Sequence, residues 1–241
     1  MIYRFDILGS TNDEARNPIY KEGDIVIAER QTAGRGQRGH TWESAEGENI
    51  TFSLILEPRF LPINEQFLLS EVLALGLVDT LAEYGIEAKI KWTNDIYVGD
   101  RKIVGMLIEN SLGGGVLTRT IAGIGLNINQ VEFDPSLPNP TSMALLTGKK
   151  FDRDEVLQRL HANTLSLYEA LRRGEKEMLQ SRYRETMYRR GEEHPFALPD
   201  GSIFRGVIRG VRPSGELQIE HSDDGSLHEY LFKQVEFIIK K

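Results

Sequence analysis

The sequence predicts an α+β protein in which interleaved strands and helices are followed by a small all-β unit. Two long segments, 66–84 and 157–171, repeat apolar residues with the period of a helix, and short β-branched runs surround them. After residue 190 the pattern changes to short runs rich in Val, Ile and Phe, separated by turn signals such as Pro199-Asp200-Gly201 and Pro213-Ser214-Gly215. We therefore predict two domains, 1–190 and 191–241, the second a small β barrel or sandwich.

The first elements are a strand, a short helix and two more strands. Residues 3–8 form an apolar run, and Ser10 is the expected N-cap of the helix that follows. Residues 24–29 are β-branched and 49–56 alternate in polarity, so both predict strands. The segment 66–84 carries a wide apolar surface, which predicts a mostly buried helix.

A hairpin and one more strand come next, before the second long helix. Strands are predicted at 89–92 and 96–98, followed by a tight turn at Gly99-Asp100 and a returning strand at 103–108. A turn at Asn94-Asp95 would break this strand pattern, so we interpret the two residues as a polar pair at a bulge, with ordinary turn residues as the alternative.

The segment 120–129 predicts a strand with Asn127 and Asn129 on one side of it. A helix entered through Asp152 or Asp154 follows, and then a charged helical stretch that reaches about residue 190.

Charge and composition exclude several classes of protein. The 241 residues carry 29 basic and 36 acidic side chains, and the net charge of -7 argues against broad capture of nucleic acid or of an anionic membrane. Any anion site must therefore be local. The absence of Cys excludes disulfides, thiolate metal sites and a thiol nucleophile, and the five His lack the paired spacing of a zinc protease helix.

No targeting segment is evident. The first fifteen residues lack a basic stretch followed by an apolar one, and Glu71 interrupts the most apolar part of the chain. We expect neither a signal peptide nor a membrane span, and we expect a cytoplasmic protein.

The most unusual segment is rich in glycine and arginine and runs from Gln31 to Trp42. Three glycines in six residues let the backbone approach a ligand closely, and Arg35 and Arg38 carry planar guanidinium groups suited to phosphate or carboxylate. The segment lacks the Lys-Ser/Thr pair of a Walker loop and occurs only once, unlike RNA-binding Arg-Gly repeats. It predicts a local anion site, with an ordinary surface loop as the alternative.

Two further segments could carry chemistry. The first is Lys91 to Asp95 with Lys102 and Gly105 beyond the turn, although a lone Lys after a tight turn is more often solvated. The second is 123–129, in which two Asn residues interrupt an apolar strand. Because buried Asn needs hydrogen-bond partners, this segment is either a structural site or one edge of a ligand site.

Taken in order, these segments resemble the biotin protein ligase family. Each motif alone is weak, but the ordered set, which spans about half of the chain, is strong. The resemblance implies a mixed sheet flanked by helices, similar to class II tRNA synthetases, followed by an SH3-like domain. The motifs that carry it are Ser10-Thr11-Asn12, Gln31 with Gly34-Arg35-Gly36-Gln37-Arg38-Gly39 and Trp42, Lys91-Trp92-Thr93-Asn94-Asp95 with Lys102 and Gly105, and Gly123-Ile124-Gly125-Leu126-Asn127-Ile128-Asn129.

The resemblance also implies roles for individual residues. Ser10, Thr11 and Gln31 would contact the ureido ring of biotin, and residues 35–37 would form the loop over carboxylate and phosphate. Lys102 would contact both the activated carboxylate and the α-phosphate, Trp42 would pack near the adenine, and Asn94 and Asn127 would face the nucleotide and its Mg²⁺. Asn94 is the proposed Mg²⁺ ligand, and Lys102, Arg35 and Asp95 are the expected catalytic residues. The substrate-binding residues that the resemblance implies are Ser10, Thr11, Asn12, Gln31, Gly34, Arg35, Gly36, Gln37, Arg38, Trp42, Lys102 and Gly105, and the ATP-binding residues are Asn94, Asn127 and Trp42.

The implied reaction has two steps. Biotin and ATP give biotinyl-adenylate and pyrophosphate, and a lysine on the biotin carboxyl carrier domain of acetyl-CoA carboxylase, or of another biotin-dependent carboxylase, then accepts the biotin. The first step needs positive charge but no base, because a carboxylic acid with a pKa of about 4 is already ionised. The second step needs a neutral amine, which Asp95 could orient or deprotonate; alternatively, Asp95 only organises the loop or the metal.

The sequence departs from the family at two positions. Gln37 stands where the family usually has Arg, which removes one charge from the phosphate loop, and Thr93 stands where it usually has Pro. Members that repress transcription carry an N-terminal helix-turn-helix, for which there is no room before Tyr3, so we expect no DNA partner and no membrane partner. A homodimer is left open.

Two rival functions share parts of this pattern. A lipoate or octanoate ligase uses the same acyl-adenylate chemistry, but Ser10, Thr11 and Gln31 suit a polar ring better than an alkyl tail. A non-enzymatic module that senses biotinyl-adenylate would not need Lys102 together with the whole glycine-arginine loop.

Overall fold

The computed structural model describes residues 1–37 and 41–239, and its strands form two sheets. The strands of the first sheet are β1 (Ile2–Leu8), β2 (Ile25–Gln31), β3 (Ile50–Leu56), β4 (Lys89–Lys91), β5 (Asp95–Val98), β6 (Arg101–Gly113) and β7 (Val116–Leu126). Their spatial order is β1-β2-β3-β7-β6-β5-β4. This sheet is mixed, because β1 runs parallel to β2 while every other neighbouring pair is antiparallel.

The second sheet is antiparallel throughout, and its spatial order is β11-β10-β9-β8-β12. Its strands are β8 (Glu193–Ala197), β9 (Ile203–Val211), β10 (Leu217–His221), β11 (Leu227–Tyr230) and β12 (Glu236–Phe237). The helices are α1 (Thr11–Glu14), α2 (Phe67–Glu83), α3 (Met143–Thr147), α4 (Arg153–Arg172) and α5 (Lys176–Thr186). The fold class expected from the sequence, a mixed sheet with helices followed by a small β unit, is confirmed.

The two faces of the first sheet have different contents. Successive side chains along a strand point to opposite faces, and directly paired residues of antiparallel strands share a face. On one face the apolar residues of β3, β6 and β7, such as Phe52, Met106 and Ile124, belong to the main hydrophobic core with α2 and α4. The opposite face carries Ser53, Gly123 and Gly125, and α1 covers part of it.

Local signals in the sequence explain the two long helices. In α2 twelve of the seventeen residues are buried, as its wide apolar surface predicts. The helix α4 begins after Asp152, whose carboxylate accepts hydrogen bonds from the backbone N–H groups of Asp154 and Glu155. Among the described residues no helix has the length and apolarity needed to cross a membrane.

The core continues from the first sheet into the second. Phe196, Ile208 and Leu217 belong to the same hydrophobic cluster as α2 and β6. The indole Nε1 of Trp92 donates a hydrogen bond to the carbonyl oxygen of Gly215, across the two sheets, at 2.9 Å. The division of the chain into two domains near residue 190 stays a prediction.

The structure corrects two local interpretations. Asn94 does not lie at a bulge but in the turn 92–94 that joins β4 to β5, and Asp95 is the first residue of β5. A bulge exists on the neighbouring strand, where Tyr97 pairs with Lys102 and Ile96 with Val104, so that Ile103 is the extra residue. The strand β7 ends at Leu126, before Asn127 and Asn129, so these two residues do not share one side of a strand.

The helix α2 contains a buried carboxylic acid, Glu71. Only 3% of its surface is exposed, and its Oε2 atom has no hydrogen-bond partner among the described residues. Burial raises its pKa to about 8, and the charge of Arg184 opposes this shift. Burial also raises the pKa of Tyr183 on α5, with Glu71 as the second cause. The folded protein therefore holds Glu71 protonated at a pH where the unfolded chain ionises it.

We predict that Glu71→Gln stabilises the protein at high pH, because the folded state no longer has to keep a buried carboxyl protonated there. Because the folded pKa lies above the unfolded value, this carboxyl costs nothing below about pH 4.5 and progressively more as the pH rises to about 8. Each pKa unit corresponds to about 1.4 kcal/mol, so the full penalty is on the order of a few kcal/mol. Urea unfolding at pH 5 and pH 8 should show the variant near wild-type stability at the lower pH and more stable at the higher.

The matched control is Glu83→Gln on the same helix. Glu83 is paired with Arg159 at the surface, and its pKa is lowered mainly by hydrogen bonds from Asn163 and Arg159. This control should gain no stability between pH 5 and pH 8. Equal pH profiles for Glu71→Gln and wild type would contradict the assignment of a protonated Glu71.

Candidate functional site

A cavity of about 420 Å³ lies on the face of the first sheet that the core does not use. It extends from α1 across β7 and β6 to the β4–β5 turn, with the Gln31–Trp42 segment and residues 133–140 at its sides. The cavity brings together nearly all of the residues that the sequence singled out. Those lining it are Ser10, Thr11, Asn12, Gln31, Arg35, Gly36, Gln37, Trp42, Asn94, Asp95, Lys102, Gly105 and Asn127.

One end of the cavity is a compact polar group. The Ser53 hydroxyl oxygen lies 2.6 Å from Asn12 Oδ1 and 2.8 Å from Thr11 Oγ1. Gln31 Oε1 accepts a hydrogen bond from the backbone N–H of Thr11 at 2.7 Å. These hydrogen bonds fix the orientation of several donors and acceptors, so this end of the cavity suits a small polar group of defined shape.

The short helix α1 can approach the sheet this closely because β7 carries glycine beneath it. A Cβ atom at Gly123 would lie 2.3 Å from Asn12 Oδ1. Ser10 precedes α1 as its N-cap residue, and its buried side chain makes no capping hydrogen bond. Asn12 is also held from the other side, since its Nδ2 atom donates to Glu109 Oε2 at 2.9 Å.

The middle of the cavity is floored by glycine and covered by Trp42. Gly105 and Gly125 pair across β6 and β7. A Cβ at Gly125 would lie 2.1 Å from Cε2 of Trp42, and a Cβ at Gly105 would lie 2.8 Å from its Cζ3. The indole therefore lies directly against the sheet, and its Nε1 atom is buried with no hydrogen-bond partner in the described part of the chain. Gly34 does not line the cavity; its backbone carbonyl accepts the Trp42 N–H at 3.2 Å.

Beside Trp42 lies a cluster of two lysines and one aspartate. Lys102 Nζ is 2.6 Å from Asp95 Oδ1, and Lys91 Nζ is 3.9 Å from Asp95 Oδ2. Lys102 Nζ also lies 5.7 Å from the centroid of the Trp42 ring. The cluster carries one more positive than negative charge, so it favours an anionic ligand. Lys102 is therefore not the freely solvated lysine that a position after a tight turn suggests.

The bulge at Ile103 explains why Lys102 faces the cavity. Without the extra residue Lys102 and Val104 would point to the same face, which is the core face. With the extra residue, Lys102 lies on the same face as Gly105. A Cβ atom built on Gly105 would be 3.2 Å from the Nζ atom of Lys102. The backbone of Lys102 is also anchored, because its N–H donates to the Asn139 carbonyl at 2.8 Å and its carbonyl accepts the Thr141 N–H at 2.9 Å.

Arg35 lines the cavity, but its guanidinium is paired with two carboxylates. Its Nη2 atom lies 2.7 Å from Asp13 Oδ1 and 3.2 Å from Glu109 Oε2. Arg16 also pairs with Glu109, at 2.9 Å. All these groups are partly exposed, so the network is screened by water and weakly held. A ligand anion can therefore compete with these carboxylates for Arg35.

Asn94 and Asn127 use their side chains differently. Asn94 donates to the carbonyl of Met106 and accepts from the Thr93 hydroxyl, so it ties the β4–β5 turn to β6. Asn127 donates to the Thr141 carbonyl at 2.9 Å, while its buried Oδ1 atom has no partner among the described residues. Asn127 Oδ1 is thus the better candidate oxygen for a hard cation. The described residues contain no group of three acidic or histidine side chains that could hold a metal by itself.

Some residues of the site carry no signal in the sequence. Ser53, which is buried behind the lining and contacts Thr11 and Asn12, is only one position in a predicted strand. Residues 133–140 have no periodicity and several prolines. Phe232 comes from the second sheet unit and meets Trp92 with ring centroids 6.4 Å apart. Arg38, assigned to the phosphate loop, lies outside the described residues.

Comparisons with known proteins identify the family of the chain. Residues 5–127, just over half of the chain, match the model of the biotin/lipoate A/B protein ligase family. The bifunctional ligase/repressor BirA of Bacillus subtilis is 37% identical over 167 residues, which cover 66% of this chain and 51% of that protein. The biotin--[acetyl-CoA-carboxylase] ligase of Paracoccus denitrificans is 34% identical over 160 residues, covering 63% of this chain and 66% of that protein.

Among solved structures, the biotin protein ligase from Aquifex aeolicus in complex with biotin and ATP superposes with a TM-score of 0.83 at 26% identity. The alignment covers 99% of both chains. The fold is a mixed sheet with a cavity on one face, and the charge of the cluster in that cavity suits an anionic small molecule. The chain belongs to the biotin/lipoate A/B protein ligase family. It spans about half the length of the B. subtilis relative.

We predict that Gly125→Ala displaces Trp42 from the floor of the cavity without unfolding the protein. The added methyl group would overlap the indole, whereas the core face of the sheet is unchanged. Acrylamide should quench Trp42 fluorescence more strongly in the variant, with Trp42→Phe used to subtract the signal of Trp92. Gly9→Ala is the control, because a Cβ there meets nothing within 4 Å. Unchanged quenching in a folded Gly125→Ala protein would contradict this packing.

Proposed function

We propose that this protein is a biotin protein ligase that converts biotin and ATP to biotinyl-adenylate and transfers the biotin to a lysine of a carrier domain. The observation that carries the proposal is one cavity that joins the fixed polar group at Thr11, Gln31 and Ser53 to the cationic cluster at Lys102. A ligand with a polar ring at one end and a carboxylate at the other matches this order. The similarity to the P. denitrificans ligase, and to the A. aeolicus ligase in complex with biotin and ATP, supports it.

In the first step a carboxylate oxygen of biotin attacks the α-phosphorus of ATP and pyrophosphate leaves. Two anions must be brought together, so the requirement is positive charge and correct orientation. Lys102 is the cation nearest to the floor of the cavity, and its amine can leave Asp95 for the oxygens of the two reactants. Arg35 can do the same by exchanging Asp13 and Glu109 for the ligand.

Mg²⁺ would accompany ATP and neutralise charge on its phosphates. Mg²⁺ usually takes only one or two protein oxygens beside phosphate and water. Asn127 fits that need, because it lines the cavity and its buried Oδ1 atom has no hydrogen-bond partner within residues 1–37 and 41–239. Asn94, the ligand that the sequence suggested, would have to release the Thr93 hydroxyl first.

In the second step the amine of an acceptor lysine attacks the carbonyl carbon of the mixed anhydride, and AMP leaves. The amine must lose a proton, and Asp95, the carboxylate beside Lys102 in the cavity, can orient it or accept that proton. The acceptor is proposed to be the biotin carboxyl carrier domain of a biotin-dependent carboxylase. Residues 191–241 as a separate domain, a cytoplasmic location and the absence of a DNA partner belong to the same proposal.

The rival functions predict different ligands. A lipoate or octanoate ligase would need apolar walls where Thr11, Asn12 and Ser53 form a hydrogen-bonded group. A sensor without activity would not need a lysine re-aimed by a bulge toward the cavity. Pyrophosphate exchange measured in parallel with biotin, lipoate and octanoate separates these functions. Exchange with biotin alone supports the proposal, exchange with lipoate or octanoate supports the rival ligase, and binding of biotinyl-adenylate without exchange supports the sensor.

We predict that Lys102→Ala lowers the rate of adenylation by about 10² to 10³, which is typical for the loss of one electrostatic contact to a transition state. ATP binding should weaken less, because the amine acts most strongly while charge moves between the reactants. Lys102→Arg should recover only part of the rate, since the guanidinium has a different shape and reach. Single-turnover formation of biotinyl-adenylate with both ligands saturating measures this.

The control for this series is Arg101→Ala, which removes an exposed cation at the adjacent position outside the cavity. It should leave the rate unchanged, and thermal melts should show that all the variants fold. A folded Lys102→Ala protein with a near wild-type rate would leave Arg35 or Arg38 as the catalytic cation.

A further inference from the structure

Lys91 is a largely buried cation that has no role in the two steps above. Its side chain is 18% exposed, it lines the cavity, and its amine lies 3.9 Å from Asp95 Oδ2. Two aromatic rings complete its surroundings, with their centroids 5.3 Å (Tyr97) and 4.9 Å (Phe237) from Nζ. Burial lowers the pKa of Lys91, and the charge of Asp95 opposes this shift. Such a buried amine is costly to keep, and ring faces and one carboxylate offset only part of the cost.

The position of Lys91 matters because of what happens to Asp95 when a ligand arrives. In the structure Asp95 is held by Lys102 on one oxygen and by Lys91 on the other. The proposed first step draws Lys102 toward the reacting anions and leaves Asp95 with only Lys91 as a cation. A carboxylate that loses its cations is no longer held in place by them.

The second sheet takes part in holding Lys91. Phe237 belongs to β12, which pairs with β8, so the ring over the amine comes from the C-terminal unit. Tyr188 lies between the two rings that contact Lys91, with centroids 5.4 Å from Tyr97 and 6.3 Å from Phe237. The backbone N–H of Tyr188 donates to the Ile90 carbonyl at 2.9 Å. Tyr188, which precedes the C-terminal unit, therefore links Phe237 of that unit to β4 beside this lysine.

We propose that Lys91 is a positioning residue for acyl transfer. Its amine holds the Asp95 carboxylate while Lys102 is engaged with the ligand, and the Phe237 ring of the second sheet packs against the Lys91 amine. The proposal rests on the proposed function. It gives the C-terminal unit a direct effect on the chemistry, through one aromatic ring and one amine. It also requires the two steps of the reaction to respond differently to the loss of Lys91.

The test measures the two steps separately. Lys91→Met removes the charge while keeping an unbranched side chain of similar length, and it should slow single-turnover transfer from preformed biotinyl-adenylate to a carrier-domain lysine by about 10- to 100-fold, the scale of a misplaced reacting group. Formation of biotinyl-adenylate and the KM for the carrier domain should change less than about threefold. Lys91→Arg keeps the charge and should recover much of the transfer rate. Lys89→Met on the same strand is the matched control, because Lys89 is exposed and outside the cavity.

A double-mutant cycle tests the link to the second sheet. Phe237→Leu should slow transfer to a smaller extent in the wild-type background and have no further effect in Lys91→Met. If Lys91→Met does not fold, as judged by its thermal melt, Lys91→Gln replaces it in every comparison.

The inference is overturned if Lys91→Met behaves like Lys89→Met, if both steps slow equally, if Lys91→Arg is as slow as Lys91→Met, or if the effects of Phe237→Leu and Lys91→Met simply add. A wild-type protein that forms no biotinyl-adenylate would overturn the proposed function and this inference together. An active wild type with an unaffected Lys91→Met would overturn only the inference.

Discussion

Side chains alternate between the two faces of a β-sheet, and in this protein that alternation assigns one face of the first sheet to the core and the other to the cavity. The core face is apolar along β3, β6 and β7 and is buried by α2 and α4. The opposite face carries a smaller hydrophobic cluster that includes Ile55 and Ile121. Beside that cluster lies the cavity, where glycine and charged residues replace apolar side chains.

On the cavity face, shape comes mainly from residues that have no side chain. Gly123 allows α1 to approach β7, and Gly105 and Gly125 allow Trp42 to lie flat against the sheet. Charge is added at the edge of this floor, where two lysines bracket one aspartate. The cavity is thus pre-shaped for an extended ligand, and the surplus positive charge lies at a single place in an acidic protein.

Much of the fold follows from local patterns in the sequence. The helix α4 and its Asp152 cap, the buried helix α2, and most of the strands of the first sheet are encoded in segments of ten to twenty residues. The sequence predicts a bulge at Asn94-Asp95, whereas the structure has a turn at 92–94. A turn and a bulge use the same polar residues, and only the pairing of β4 with β5 distinguishes them. The pairing of Arg35 with Glu109 is invisible in the sequence because 74 positions separate the two residues.

The site was easier to predict than its neighbourhood. The glycine-arginine loop and the Lys91–Asp95 segment combine residue types that are unusual together, so they stand out. Residues 133–140, which anchor the backbone of Lys102 and line one wall, have no such signature and reach the site only through tertiary contacts. Glu71 is a similar case, because nothing in an amphipathic helix pattern says that one of its acids lies under the core.

The extra residue at Ile103 makes the site depend on the number of residues between Lys102 and Gly105 as well as on their identity. Alternation has a period of two, so deleting one residue from β6 would exchange the faces of everything on one side of the deletion. The Lys102 amine would then point into the hydrophobic core. Nearly the same sequence would then encode a sheet whose cavity face lacks this cation. Along this strand a one-residue gap is therefore a larger change than most substitutions, and relatives that differ here by a single insertion or deletion cannot share the same arrangement of charges.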